Sequence, residues 1–496
     1  MATQAPASTP DPPSHGLRRE LRFWEAIAIS IGIMAPTAAM ALNGTAPATL
    51  IGRAVPLAFI FATIGVLLVS YAFIRLSRYF SHAGSVYALA GVTLGPQAGF
   101  FSGWALLGTY VAFTCASTAE AGTFGVAFFQ GTGIWNGADY IWIALVAAVI
   151  IAILAYGDIR VATRSLLGME GISVTLIVIL MVVIVAKLIA GTSPPGTSIS
   201  VDAFKIPSGT SLSAVGGAAV FGFLSFAGFE GAASLGEETA NPRREIPRAI
   251  RNAVIASGIF YILCITVQTW GFGATATGAK AFAGSSAPLG DLGHTYVGSW
   301  MEDLINAGAT ISAFASGLAA CTAGARILFA LSRGTRFESS LGRTSTRSGA
   351  PAGALTVVLV VGVGAIIAQR IAGVSAVNAF FYPGTLGVLS LLVAYMVTNF
   401  GAIRFLFFTH RSAPRYEIVI PGLGILFLGY TIYKNVTGQV FPYSRFPLVV
   451  GIWLVIGAAI IMATPRLAAR IGEGLARDEG LEMPGTTESP PRGTGP

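Results

Sequence analysis

Residues 225–250 read SFAGFEGAASLGEETANPRREIPRAI. The stretch begins apolar, sets Glu230 among Phe and Gly, and ends in a cluster of arginines. An acidic side chain at the centre of a membrane span costs about 2.5–3.5 kcal/mol on insertion scales, so one that is present has a reason to be there. Gly228 and Gly231 flank it, and glycine weakens a helix by about 1 kcal/mol relative to alanine. The pattern predicts an apolar helix that loosens around a buried acid and then emerges into a basic connection.

The whole chain supports a membrane setting. Hydrophobic residues make up 54% of 496 and charged residues 10%, with a mean hydropathy of +0.72. A water-soluble domain carries about 25% charged residues, so this chain could not cover a soluble surface. Cys115, Cys264 and Cys321 all lie in apolar runs, which implies no disulfide framework. The net charge of +8 calls for no nucleic acid, because the Lys and Arg fall between apolar segments.

Twelve apolar segments follow a polar tail at residues 1–22 that ends in Arg18, Arg19 and Arg22. No small-residue cleavage site follows the first apolar segment, so the tail reads as disordered rather than as a signal peptide. About 20 residues cross the hydrocarbon, which makes 418–433 the weakest span. With the N-terminus inside, the inner loops receive all the Lys and Arg except Arg53, Lys187, Lys205, Lys280, Arg370, Lys434 and Arg445. That asymmetry predicts an even helix count and cytoplasmic termini.

The first span, WEAIAISIGIMAPTAAMALNG at 24–44, carries Pro36 in its middle and Gly32 four residues earlier. Proline removes a backbone donor, so the hydrogen-bond ladder opens there. Irregular backbone at membrane depth survives where it lines protein or a wet cavity. A simple proline kink would account for this span alone. The sixth span has its own weak point at Phe226–Gly231, however, and interrupted spans five helices apart are what two inverted five-helix repeats produce.

Residues 237–250, EETANPRREIPRAI, following Gly-Phe-Glu, resemble the signature after helix 6 of the amino acid–polyamine–organocation (APC) superfamily of permeases. Residues 83–104 (AGSVYALAGVTLGPQAGFFSGW), 157–167 (GDIRVATRSLL) and 324–334 (GARILFALSRG) resemble the same family's helix 2–3 loop, the entry to helix 5 and the end of helix 8. The resemblance covers about residues 20–465. It implies an all-α integral membrane protein of 12 transmembrane helices. The inverted-repeat core of five plus five would occupy 23–401, with helices 1 and 6 discontinuous, peripheral helices 11–12 at 402–465 and a disordered cytoplasmic tail at 466–496. The implied activity is secondary active transport of amino acids or related amines across the cell membrane.

Position by position, the resemblance makes Ile33, Met34, Ala35, Pro36 and Thr37 a break whose free backbone groups would bind substrate, with Phe226, Ala227 and Gly228 as the matching break. Glu230 falls on the acid that couples proton binding to movement in several members. The family's aromatic gate falls on Leu224, so Phe223 or Phe226 would have to serve. The helix 5 lysine of some proton-coupled relatives falls near Ser173, one turn after Glu170. The frequent Asp-Gly at the end of helix 8 is Arg333-Gly334 here.

Three carboxylates fall inside spans, Glu120, Glu170 and Glu230, and no Lys or Arg lies centrally in any span to pair with them. An apolar surround favours the neutral, protonated carboxyl. That suits proton coupling, and it also draws a cationic amine. Glu230 and Glu170 are the candidates for proton coupling; the role of Glu120 is open. Ser312, Ser316 and Thr322 in span 8 could bind sodium but read better as interhelical hydrogen-bonding groups. Tyr110 and Cys115 could face a cavity. Glu237 and Glu238 could pair with Arg243, Arg244 and Arg248 as an inner gate.

The expected partners are therefore a small-molecule substrate, a proton rather than sodium, and the bilayer. A polyamine or cationic-amine carrier or exchanger is the nearest rival. His15, His82, His294 and His410 lie far apart and outside the spans, and no helix has a metal-ligand spacing. That argues against an enzyme, a metal or a cofactor. A nutrient sensor without transport is disfavoured by the short tails.

Overall fold

The computed structural model describes residues 23–80, 86–157, 159–235, 239, 241–332, 335, 338–341, 351–437 and 439–478, and every element among them is a helix. The N-terminal tail, Glu237, Glu238, Arg333 and Gly334 lie outside the described residues.

The chain opens with α1 (Phe23–Met34) and α2 (Pro36–Leu42), separated only by Ala35. A short α3 (Thr45–Ile51) leads into α4 (Val55–Leu76). Then come α5 (Val86–Leu94), the long α6 (Pro96–Gly131), α7 (Tyr140–Tyr156) and α8 (Ile159–Ile189). After α9 (Leu212–Phe226), Ala227 and Gly228 interrupt the helix, and a 3-10 segment, Phe229–Leu235, precedes α10 (Pro242–Phe272). Short α11 (Ala276–Gly284) and α12 (Pro288–Tyr296) feed α13 (Ser299–Ser332). The rest is α14 (Glu338–Leu341), α15 (Ala352–Ile371), α16 (Ala376–Ile403), α17 (Val419–Thr437), α18 (Phe446–Ala463) and α19 (Pro465–Asp478).

Among the described residues, ten helices are long and apolar enough to cross a membrane. The other two expected spans correspond to shorter apolar helices, Ser30–Leu42 and Tyr140–Tyr156. The first runs through the break at Ala35.

Burial divides the helices into an interior and a rim. α6 packs along α13 and α16 through the middle of the molecule. Small residues allow that approach: Gly317 lies against Ser117 and Thr118, and Gly324 against Tyr110. α7, α8, α15, α17 and α18 instead expose Trp142, Ile153, Val182, Val360, Leu426 and Val455. So large an apolar exterior is paid for only in lipid.

The sixth-span motif explains its own geometry. Pro242 starts α10, where a missing N–H costs nothing, and Asn241 precedes it. Arg243, Arg244 and Arg248 lie exposed on the first turns.

The C-terminus corrects the expectation of a tail from 466. Residues up to Asp478 form α19, whose Ala468, Ile471 and Leu475 are buried at helical spacing while Arg466 and Arg470 are exposed. That helix packs against α5 and the start of α6, where Gly472 meets Pro96 and Leu475 lies beside Gly103. A stripe of three residues among arginines has a low mean hydropathy, which conceals it from a search for spans.

Candidate functional site

At the first break, Ala35 adopts φ 46°, ψ 60°, the left-handed region, and its N–H donates to Gly32 O at 3.2 Å. For a residue with a Cβ this conformation costs roughly 1–2 kcal/mol. The neighbouring Pro36 has no N–H and is preset for the first position of α2. The next two amides are taken by other helices. Thr37 N–H donates to Glu170 Oε1 of α8 at 2.8 Å, and Ala38 N–H donates to Ser312 Oγ of α13 at 3.2 Å. The expected open donors of this break are thus already filled by the protein's own side chains.

The second break works differently. Gly228 has φ +100°, and a Cβ there would run into the Ile33 side chain; so would one on Gly231. Glycine at these positions lets Ile33 of the first break pack directly on the second. Ser30 Oγ staples them, donating to Phe229 O at 3.4 Å and accepting from Ala232 N–H at 2.8 Å. Glu230 is 7% exposed, accepts from the Tyr395 hydroxyl at 2.7 Å, and has the amides of Gly228 and Glu230 itself directed at its carboxylate. Phe73, Phe229 and Tyr395 meet edge-on or tilted around it, with ring centroids 5.3–5.5 Å apart.

Both breaks border a cavity of about 440 Å³. Ile33, Met34, Ala35, Ala227 and Gly228 line it, and so do all three acids, Glu120, Glu170 and Glu230. Pro36, Thr37 and Phe226 are buried behind that surface, Phe226 in an edge-on contact with Tyr261 at 5.0 Å. Of the two expected gate residues, Leu224 lines the cavity and rests on Gly384, whereas Phe223 turns towards Phe427 of α17. The aromatic surface comes from Tyr87, Tyr110, Phe113 and Phe380. Nothing in α16 distinguished Phe380 or Tyr395 in the sequence, since that helix carries no charge between Ala376 and Ile403.

The helix 8 hydroxyls divide by partner. Ser312 caps α2 as described, Ser316 pairs with Ser117 at 3.1 Å, and Thr322 donates to its own helix at Leu318 O. Ser173 donates to Met169 O and abuts Gly308. Cys115 stays behind the cavity, accepting from Gln369 Nε2 at 3.4 Å. Glu120 is 3% exposed and its Oε1 has no hydrogen-bond partner. Among the described residues, no group of three or more His, Cys, Asp or Glu could hold a metal ion.

The amino acid permease family matches residues 25–460. An uncharacterized transporter of Mycobacterium tuberculosis is 27% identical over 84% of this chain and 87% of its own length. A branched-chain amino acid permease, BcaP, of Bacillus subtilis is 26% identical over 68% of this chain and 71% of its own. A low-affinity putrescine importer, PlaP, of Escherichia coli K12 is 25% identical over 67% of this chain and 71% of its own. The family and these relatives are transporters, not enzymes. With its apolar helices, its two facing helix breaks and a family match across nearly its whole length, this multi-pass membrane protein belongs to the amino acid permease family of the APC superfamily.

Proposed function

We propose that this protein carries amino acids or related amines across the cell membrane by alternating access, driven by protons. Twelve spans, a five-plus-five inverted-repeat core and two cytoplasmic termini complete the reading. The observation that carries it is the pair of helix breaks, five spans apart, stapled to each other and bordering one cavity with three carboxylates. Discontinuous helices meeting at mid-membrane are the hallmark of a carrier's binding site. A cavity of this volume fits a small molecule.

The cavity's lining supports a direction. It runs to Tyr87 near the start of α5, Leu166 and Leu167 near the start of α8, and Arg326 and Ile327 near the end of α13. Those helix ends adjoin the arginine-rich loops, so the reading is of an inward-facing state.

Coupling follows from what the acids hold. Glu170 accepts from Thr37 N–H, and such a bond is worth about 1.5–3 kcal/mol when the carboxyl is charged against about 1 when it is neutral. Protonating Glu170 weakens its hold on α2, and protonating Glu230 removes the charge that Tyr395 stabilises. Each event loosens one break against a helix of the surrounding scaffold. A carrier or exchanger of polyamines or other cationic amines is the alternative, favoured by three acids around one cavity.

The test is uptake by protein reconstituted in liposomes, with labelled amino acids and amines under separate pH and sodium gradients. Accumulation driven by an inward proton gradient and abolished by a protonophore is expected. Uptake that follows sodium alone would overturn the coupling, and no uptake of any of these compounds would overturn the reading.

A further inference from the structure

Every backbone donor identified at the two breaks is occupied by the protein's own oxygen atoms. Thr37 N–H is bound to Glu170, Ala38 N–H to Ser312, and the amides of Gly228 and Glu230 are directed at Glu230. A substrate carboxylate would have to displace an internal carboxylate to reach any of them. Glu120 stands in the opposite condition. It lines the same cavity from α6, is almost wholly buried, and its Oε1 accepts from nothing. An unpaired buried acceptor costs about 1–3 kcal/mol, more when charged, until a donor arrives. The hydroxyls of Ser117, one turn earlier on α6, and Ser316 are bonded to each other at 3.1 Å and line the cavity beside it. Their remaining lone pairs are acceptors.

We propose that Glu120, with Ser117 and Ser316, forms an ammonium subsite, and that the substrate is a primary amine without a carboxylate. The inference rests on the transport reading above and narrows its substrate class. Three acceptor side chains match the three N–H bonds of an alkylammonium group. Arg326 is the cation that the described residues contribute to the cavity wall, and it lies ten residues along α13 from Ser316, about 15 Å at 1.5 Å per residue. An α-amino acid carries its ammonium and carboxylate on one carbon, so one seated with its ammonium at Glu120 would leave its carboxylate beside Glu120 and Ser316, the latter ten residues along α13 from Arg326. The apolar wall of Phe113, Leu224 and Phe380 accommodates the alkyl body.

The experiment uses the full-length protein in liposomes, with labelled 1,4-diaminobutane as probe and unlabelled leucine or propylamine as competitors. Diaminobutane uptake is expected to be blocked by propylamine and untouched by a hundredfold excess of leucine. Glu120→Gln is expected to raise the half-saturating amine concentration at least tenfold, Glu120→Asp to restore part of it, and Ser117→Ala to raise it a few-fold. Leucine uptake with no amine uptake, or an unchanged amine affinity in Glu120→Gln, would overturn the subsite while leaving the transport reading intact. Uptake of neither compound would overturn both. Should Glu120→Gln fail to fold, the wild-type competition and Ser117→Ala decide the question.

Discussion

The two helix breaks face each other across one cavity, yet they are built by different means. At Ala35 the backbone turns left-handed with no glycine to ease it, and the amides it frees are held by Glu170 and Ser312 from α8 and α13. At Gly228 the turn is steric: a glycine at φ +100° receives the Ile33 side chain, and the acid it serves lies two residues on. The first break is therefore sensitive to where α8 and α13 stand, and the second rests mainly on its own glycine and on α1, with Tyr395 of α16 holding its acid.

Substitutions that fill space should therefore hurt the second break more, and those that remove a cap should hurt the first. Gly228→Val adds a β-branched side chain at positive φ into the space of Ile33. The strain and overpacking together cost about 2–5 kcal/mol, and loss of monodisperse protein or a large fall in melting temperature is expected. Glu170→Ala leaves Thr37 N–H buried without a partner, at about 1–3 kcal/mol, seen as a smaller fall in melting temperature. Tyr395→Phe removes one of several donors around Glu230 and should cost about 1 kcal/mol. If Tyr395→Phe destabilises more than Glu170→Ala, the second break depends on α16 more than the first depends on α8.

Ala35→Gly sharpens the contrast further. It relieves the left-handed strain at the first break but adds freedom to the unfolded chain, so a change within about 1 kcal/mol is expected. The smallest effect should come from an acid outside the spans. Arg370 Nη2 lies 2.6 Å from Asp139 Oδ2, and that hydrogen bond holds the Asp139 carboxyl below the usual carboxylate range. The pair is largely exposed, so solvent screening leaves its contribution small. Because the folded-state value is depressed, its stabilisation is present above the ordinary carboxylate range and lost as pH falls through the folded-state value. Asp139→Asn should thus lower the melting temperature slightly at neutral pH, and the difference from wild type should vanish in acid.

Much of this contrast was legible in the residues. Pro36 with Gly32, and the glycines around Glu230, marked both weak points because proline and glycine act on the backbone whatever surrounds them. The details depended on partners distant in sequence. The left-handed residue is Ala35, three positions after Gly32, and the donors expected to be free are capped from 133 and 274 positions away. Local pattern carries no information about such pairs. Spacing alone places Phe223 beside the aromatic gate position, but the helix face it occupies meets α17. α19 is hidden from local hydropathy because its apolar stripe is narrow and set among arginines.

The central claim is that Glu230, held at the second break by Tyr395, couples proton binding to transport. It is tested most directly by Glu230→Gln in liposomes, comparing accumulation under an inward proton gradient with exchange of substrate at equal pH on both sides. The account predicts that gradient-driven accumulation is lost while binding and exchange persist. Accumulation at the wild-type level by Glu230→Gln would contradict it.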